Sequence, residues 1–157
     1  MDIDGVMADI THRLHYQREK DYEKFYSLAE LAKDTALYNG CTLVEILSRN
    51  HGNVVFVTGR PERTRTATEN WLKYYEIECP DVLMRHDGDY RPSDIVKVEA
   101  IKTYFENLRQ DAKSKLPDEL QCGLFIDDDP KNVIAVEKAF PNVTGLLYGT
   151  KRLKERD

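Results

Sequence analysis

Asn53-Val54-Val55-Phe56-Val57-Thr58-Gly59-Arg60 is the stretch on which the reading of the fold turns. Its apolar residues follow one another without a polar break between Gly52 and Thr58-Gly59, and most are β-branched. Such a run predicts a strand covered on both faces, the habit of a parallel sheet. A second run of this kind, Gly123-Leu124-Phe125-Ile126, stops at Asp127-Asp128-Asp129-Pro130, where the proline suits the first turn of a helix. The chain opens on Met1-Asp2-Ile3-Asp4-Gly5-Val6. Residues two apart in a strand point the same way, so a strand that breaks at Gly5 aims both carboxylates at one atom. The plainer reading of this opening is a frayed end with a turn, since Asp and Gly are ordinary turn formers.

Helical spacing fills the intervals. It predicts helices over 41–49 (Leu43, Ile46 and Leu47 inward), 62–75 (Ala67, Trp71, Leu72, Tyr75), and 93–108 with Ser93 as cap (Ile95, Val98, Ile101, Tyr104, Phe105). A further helix covers 132–140 on Val133 and Val136, and short strands fit 82–84 and 143–147. Residues 85–92 read as a loop and 109–119 as a solvated stretch. The polar, aromatic segment 9–39 suggests a helix over 21–33 with Phe25, Leu28 and Ala32 inward, ending before the turn signal Asn39-Gly40. Strands alternating with helices predict an α/β fold, a Rossmann-like three-layer sandwich with a mainly parallel sheet.

The 157 residues fit a single domain, and 41% hydrophobic with 32% charged residues is the balance of an ordinary globular protein. A net charge of −5 gives no global attraction to nucleic acid or to an anionic membrane, so a partner of either kind needs a local patch. Cys41, Cys79 and Cys122 are scattered, without C-x-x-C spacing, which favours neither a disulfide framework nor zinc and fits a reducing cytoplasm. No apolar run of about 18 residues and no basic-then-apolar leader is present, so no membrane span or signal peptide is expected. Nothing in the sequence specifies an oligomeric state.

In open parallel sheets ligands bind where strands end at their carboxyl edge. Three apolar runs end here in polar groups: Asp2-x-Asp4, Thr58-Gly59-Arg60 and Asp127-Asp128-Asp129. Crowded carboxylates need a cation, and an all-oxygen site is the kind Mg²⁺ prefers. Thr58, Arg60 and Lys97 add a hydroxyl, a bidentate guanidinium and a point charge, which together suit a phosphate. The plainer readings are an acidic helix N-terminus at 127–129, a solvated Lys97 and a strand-end turn at Thr58-Gly59. His12 and His15 read as surface residues. Tyr16, Tyr22, Phe25, Tyr26 and Tyr90 read as core residues first and as stacking platforms for a base second.

These residues resemble the four motifs of the haloacid dehalogenase-like (HAD) phosphohydrolases: Asp2-Ile3-Asp4-Gly5-Val6, Val57-Thr58-Gly59-Arg60, Lys97, and Ile126-Asp127-Asp128. Each is weak alone, but all four stand in order after apolar runs and span nearly the whole chain. Within that superfamily the chain is most similar to the 3′-phosphatase domain of bacteriophage polynucleotide kinase-phosphatase. That likeness rests on Arg13, Thr58-Gly59-Arg60-Pro61, Trp71 and the segment from Met84-Arg85 through Gly88-Asp89, Arg91, Asp94 and Val96-Lys97 to Glu99.

The resemblance implies a Mg²⁺-dependent phosphatase acting on a phosphorylated nucleic-acid end or nucleotide. Asp2 is then the nucleophile that forms an aspartyl-phosphate, and Asp4 the acid and base, its carboxyl kept partly protonated. It implies metal ligation by Asp2, the Asp4 carbonyl, Asp127 and Asp128, phosphate binding by Thr58, Gly59 and Lys97, and contacts from Arg13 and Arg60 to the phosphate or the leaving nucleoside. The interval from Asp4 to Thr58 leaves no room for a large cap domain, so an open site is expected. Competing readings are a phosphatase of small metabolites or nucleoside 5′-monophosphates and a silent phosphate-binding module. One departure stands at the front, where only Met1 precedes Asp2. The family's first strand would then be largely missing, with neighbouring edges unpaired and Asp2 poorly held, or the chain would be part of a longer protein.

Overall fold

A computed structural model describes residues 1–51, 54–78, 81–111 and 123–149 of the chain. Cys79, Cys122, Asn53 and most of the expected solvated stretch 109–119 lie outside the described residues. Strand β1 (Ala8–Asp9) pairs antiparallel with β2 (Thr35–Ala36). Between them run a 3-10 turn (Thr11–Arg13) and three short helices, α1 (Leu14–Arg18), α2 (Tyr22–Phe25) and α3 (Leu28–Leu31). Helix α4 (Tyr38–His51) leads to β3 (Val55–Pro61), then a 3-10 turn and α5 (Arg65–Tyr74) lead to β4 (Asp81–Arg85). The order continues with α6 (Ser93–Asp111), β5 (Gly123–Asp127), α7 (Pro130–Ala139) and β6 (Val143–Leu147).

The apolar runs are parallel strands, β3 beside β4 and β5 beside β6. Backbone hydrogen bonds of the first two residues link the two pairs. The Met1 amino group donates to the Val55 carbonyl at 2.8 Å, the Val57 N–H to the Met1 carbonyl at 3.0 Å, and the Asp2 N–H to the Ile126 carbonyl at 2.8 Å. Met1 and Asp2 therefore lie between β3 and β5, with the Asp2 backbone held by β5. Gly5 takes φ +79°, and the N–H groups of Val6, Met7 and Ala8 all donate to the Ile3 carbonyl, so the chain turns sharply just after Asp4.

Alternation along the strands divides the core into two faces. Phe56 and Ile126 join Met1, Ile3 and Val6 in one cluster with Val44 of α4 and Trp71 and Leu72 of α5. Their neighbours Val57 and Phe125 pack on the other face with Ile101 of α6 and Val136 of α7. Helices on both faces of a parallel sheet make the expected three-layer α/β sandwich, with no large cap among the described residues.

Several local expectations are corrected. Asn39-Gly40 does not stop a helix but lies in the first turn of α4, where Gly40 rests against the Val6 carbonyl; a Cβ there would overlap it. The helix expected over 21–33 is two helices, capped separately by the side chains of Asp21 and Ser27. Leu31 is buried in place of Leu28, which is exposed. In α6, Val96, Lys97 and Ile101 face inward and Ile95 faces out, a rotation that carries the lysine into the interior. Ser93 makes no capping hydrogen bond among the described residues.

Candidate active site

The carboxyl ends of Met1–Asp2, β3 and β5 meet at one cleft of about 710 Å³, lined among others by Asp2, Asp4, Gly59, Lys97 and Asp128. Asp2 is nearly buried: its Oδ1 accepts the Ile3 N–H at 2.8 Å and its Oδ2 pairs with Lys97 Nζ at 2.7 Å. Lys97 donates equally to Asp127 Oδ2 at 2.7 Å. Asp127 is wholly buried at the end of β5 and is further fixed by Asn132 Nδ2 (3.0 and 3.1 Å) and the Asp129 N–H (2.9 Å). Asp129 also caps α7 by accepting from the Lys131 N–H.

One oxygen from each of Asp2, Asp127 and Asp128 lies within 4.8 Å of the others. The Asp128 carboxyl sits against Gly5, where a Cβ would collide with it. Burial, partly opposed by Lys97 and reinforced by Asp127 and Asp4, pushes the Asp2 carboxyl up to about 7. Burial and then Asp127 raise Asp128 to about 6. Burial alone would lower Lys97, but the two aspartates outweigh it and hold the ammonium protonated. Three crowded carboxylates share one ammonium, and the buried Asn132 Oδ1 nearby has no partner among the described residues. An all-oxygen set with this excess of negative charge fits a hard divalent cation.

Asp4 occupies a different environment. Its Oδ1 accepts from Arg60 Nε at 2.9 Å, Arg60 Nη2, and Arg13 Nη2 at 3.0 Å, while its Oδ2 has no hydrogen bond among the described residues. Both guanidinium groups are buried and continue onto Asp34: Arg13 binds it through Nε and Nη2, each at 2.8 Å, and Arg60 through Nη2 at 2.7 Å. The Phe25 ring lies under Arg13, 4.5 Å from its guanidinium carbon. Burial, the largest effect on Asp4, would raise its carboxyl, but Arg60, Arg13 and Lys97 together hold it below its ordinary value. That direction is opposite to the one expected for a partly protonated Asp4: the second acid nearby is outweighed by two arginines, and of the two it is the Asp2 carboxyl that is pushed up. The guanidinium groups of Arg13 and Arg60, expected to reach the substrate, are bonded to Asp4 and Asp34, and of these four residues Asp4 is the one that lines the cleft.

Thr58 is buried, and its hydroxyl accepts the Arg60 N–H at 3.2 Å. Gly59 reaches the cleft wall. Of the aromatics, Phe25 is core, Tyr26 is half-buried at the cleft, and Tyr22 and Tyr90 are exposed along its rim. Sequence reasoning missed Asp34 and Asn132. Asp34 had no signal beyond the rule that buried arginines need carboxylates; Asn132 was visible only as a polar residue one turn into the helix that follows the acidic run.

A family model described as the polynucleotide kinase PNKP phosphatase domain matches residues 1–111. No curated protein matches. Two solved structures share the fold. A chain of the Pnkp1/Rnl/Hen1 RNA repair complex has a TM-score of 0.63 at 19% identity, covering 95% of this chain and 42% of the other. A chain of a second Pnkp1/Rnl/Hen1 complex structure has a TM-score of 0.63 at 19% identity, covering 94% of this chain and 44% of the other. The chain thus spans less than half the length of these two solved chains. No helix of the described residues is long and apolar enough to cross a membrane.

Proposed function

The chain belongs to the family of polynucleotide kinase PNKP phosphatase domains, within the HAD-like phosphohydrolases, and from that premise we propose that it hydrolyses a 3′-phosphomonoester on a nucleic-acid or nucleotide end. The observation that carries this reading is the buried Lys97 bridging Asp2 and Asp127 beside Asp128, at the floor of an open cleft. Asp2, ionised and held by Lys97 and the Ile3 N–H, attacks phosphorus in line; an acyl-phosphate bond forms as the ester bond breaks and the leaving alcohol takes a proton. Water then attacks phosphorus, the bond to Asp2 breaks, and a proton passes to Asp4.

Two arginines anchor Asp4 through Oδ1, so Oδ2 is the oxygen at which that proton is exchanged. Its ionised state suits the base role of the second step directly, whereas the first step draws on its minor protonated form. Asp2, Asp128 and the Asp4 carbonyl would hold a Mg²⁺ ion, with Asp127 fixing the ammonium beside it. When bound, the ion would offset the repulsion between an anionic nucleophile and an anionic ester.

A strand end as substrate is supported by the openness of the site and by its rim, which carries Arg63, Lys131, Tyr22 and Tyr90, groups suited to backbone charge and base stacking. The test is phosphate release from a 3′-phosphorylated oligonucleotide, with Mg²⁺ and with chelator. Release is expected only with the metal and is abolished in Asp2→Asn; no release at any pH would sink the proposal.

A further inference from the structure

A Cβ placed on Gly59 would have as its three nearest neighbours Tyr26 Oη at 3.4 Å, Ser93 Oγ at 3.6 Å and Arg85 Nη2 at 3.8 Å. These atoms come from three separate elements, the end of α2, the start of α6 and the end of β4, and all three residues line the active-site cleft with Gly59. None of the three atoms has a hydrogen-bond partner among the described residues. Tyr26 Oη and Ser93 Oγ make no hydrogen bond among the described residues. Arg85 uses Nε on the Gly59 carbonyl (3.0 Å) and Nη1 on the Asp89 and Arg91 carbonyls (3.0 and 2.6 Å), leaving Nη2 over.

Half-buried donors left without acceptors are costly, and three grouped around the open face of Gly59 offer a place beside it for an acceptor oxygen. One of the three is a guanidinium, which selects an anionic oxygen over a neutral one. The guanidinium is held by three backbone carbonyls and the Tyr26 ring by an edge contact with Phe25, so little ordering remains to be done on binding. Burial pushes the Tyr26 phenol up to about 12, so it remains an O–H donor. Among the described residues the trio makes no hydrogen bond to Asp2, Lys97 or Asp127, whose charged groups are bonded to one another.

We infer that Tyr26, Arg85 and Ser93 form an anion subsite that takes a non-bridging oxygen of the phosphodiester adjoining the terminal 3′-phosphate. The inference rests on the phosphatase reading above and deepens it, because such a subsite makes a strand end a better substrate than a mononucleotide. Gly59 is the residue that keeps the space open.

The test compares two 3′-phosphorylated dinucleotides that differ only at the internal linkage, a charged phosphodiester in one and an uncharged methylphosphonate in the other. Binding is measured on the Asp2→Asn chain, so that it is read apart from turnover. Tighter binding of the diester by about tenfold is expected, the size of a charge-assisted contact. Tyr26→Phe with Ser93→Ala, which remove only two oxygens, and separately Gly59→Ala, which inserts a methyl, should each erase most of that preference. Equal binding of the two ligands, binding of neither, or a preference that survives both sets of changes would overturn the subsite. Phosphate release by the unsubstituted chain is followed on the same pair: diester preference in binding without any release would leave the subsite standing and remove the phosphatase reading.

Discussion

The two carboxylates of the opening motif differ in what surrounds them, and that difference assigns their work. Asp2 shares a single ammonium with Asp127, whereas Asp4 faces two guanidinium groups. Asp34 makes the second arrangement possible, since two buried arginines against Asp4 alone would leave one positive charge uncompensated. Asp34→Ala is therefore expected to cost on the order of 3–5 kcal/mol of stability, the range for breaking a buried pair from one side, read by urea denaturation. Asp34→Asn keeps an acceptor and the shape, and should fold while lowering kcat more than it changes KM, because it loosens the groups that orient Asp4 and not those that face the substrate. A kcat unchanged in a folded Asp34→Asn chain would show that Asp4 needs no such support.

At the scale of elements, the turn between Asp4 and β1 carries the most consequence. Gly5 has φ +79° and lies against the Asp128 carboxyl, so one residue both turns the chain after the acid pair and makes room for a metal-ligand candidate that directly follows β5. Gly5→Ala should cost about 1–2 kcal/mol for the left-handed backbone alone, and should weaken Mg²⁺ binding further by displacing Asp128, as a titration calorimetry comparison would show. Elements like β3 and β5 were legible because a strand buried on both faces needs an uninterrupted apolar run, and few other structures do. The segment 9–39 was not, because its short helices are held by side-chain caps at Asp21 and Ser27 and by the arginine network, which no periodicity announces. Gly40 misled for a physical reason: a glycine that admits a neighbouring backbone looks in sequence like one that ends a helix. The site showed the same division. Its strand-end residues could be placed from the sequence, whereas the partners that fix their positions, Asp34 through the two arginines and Asn132 on Asp127, carry no such signal.

For the whole molecule, the excess of carboxylate in the cleft links stability to pH and to cation. Asp2 and Asp128, near 3.8 in an unfolded chain, are raised to about 7 and about 6 in the fold. Between these limits the folded state binds more protons than the unfolded one, so stability of the metal-free protein falls as pH rises from about 4 to about 7. Asp4 works in the opposite sense, but its pKa lies below 3.8, so its contribution is fully present above that value and constant from pH 5 to 8. In chelator, Tm is accordingly expected to be higher at pH 5 than at pH 8. Mg²⁺ competes with the same protons, so the rise in Tm that it produces should be small at pH 5 and large at pH 8. Thermal melts at the two pH values, with and without Mg²⁺, read both signs at once. An equal rise at pH 5 and pH 8 would mean that the ion binds where no proton has to leave, which would move it away from Asp2 and Asp128 and remove the cation from the proposed chemistry.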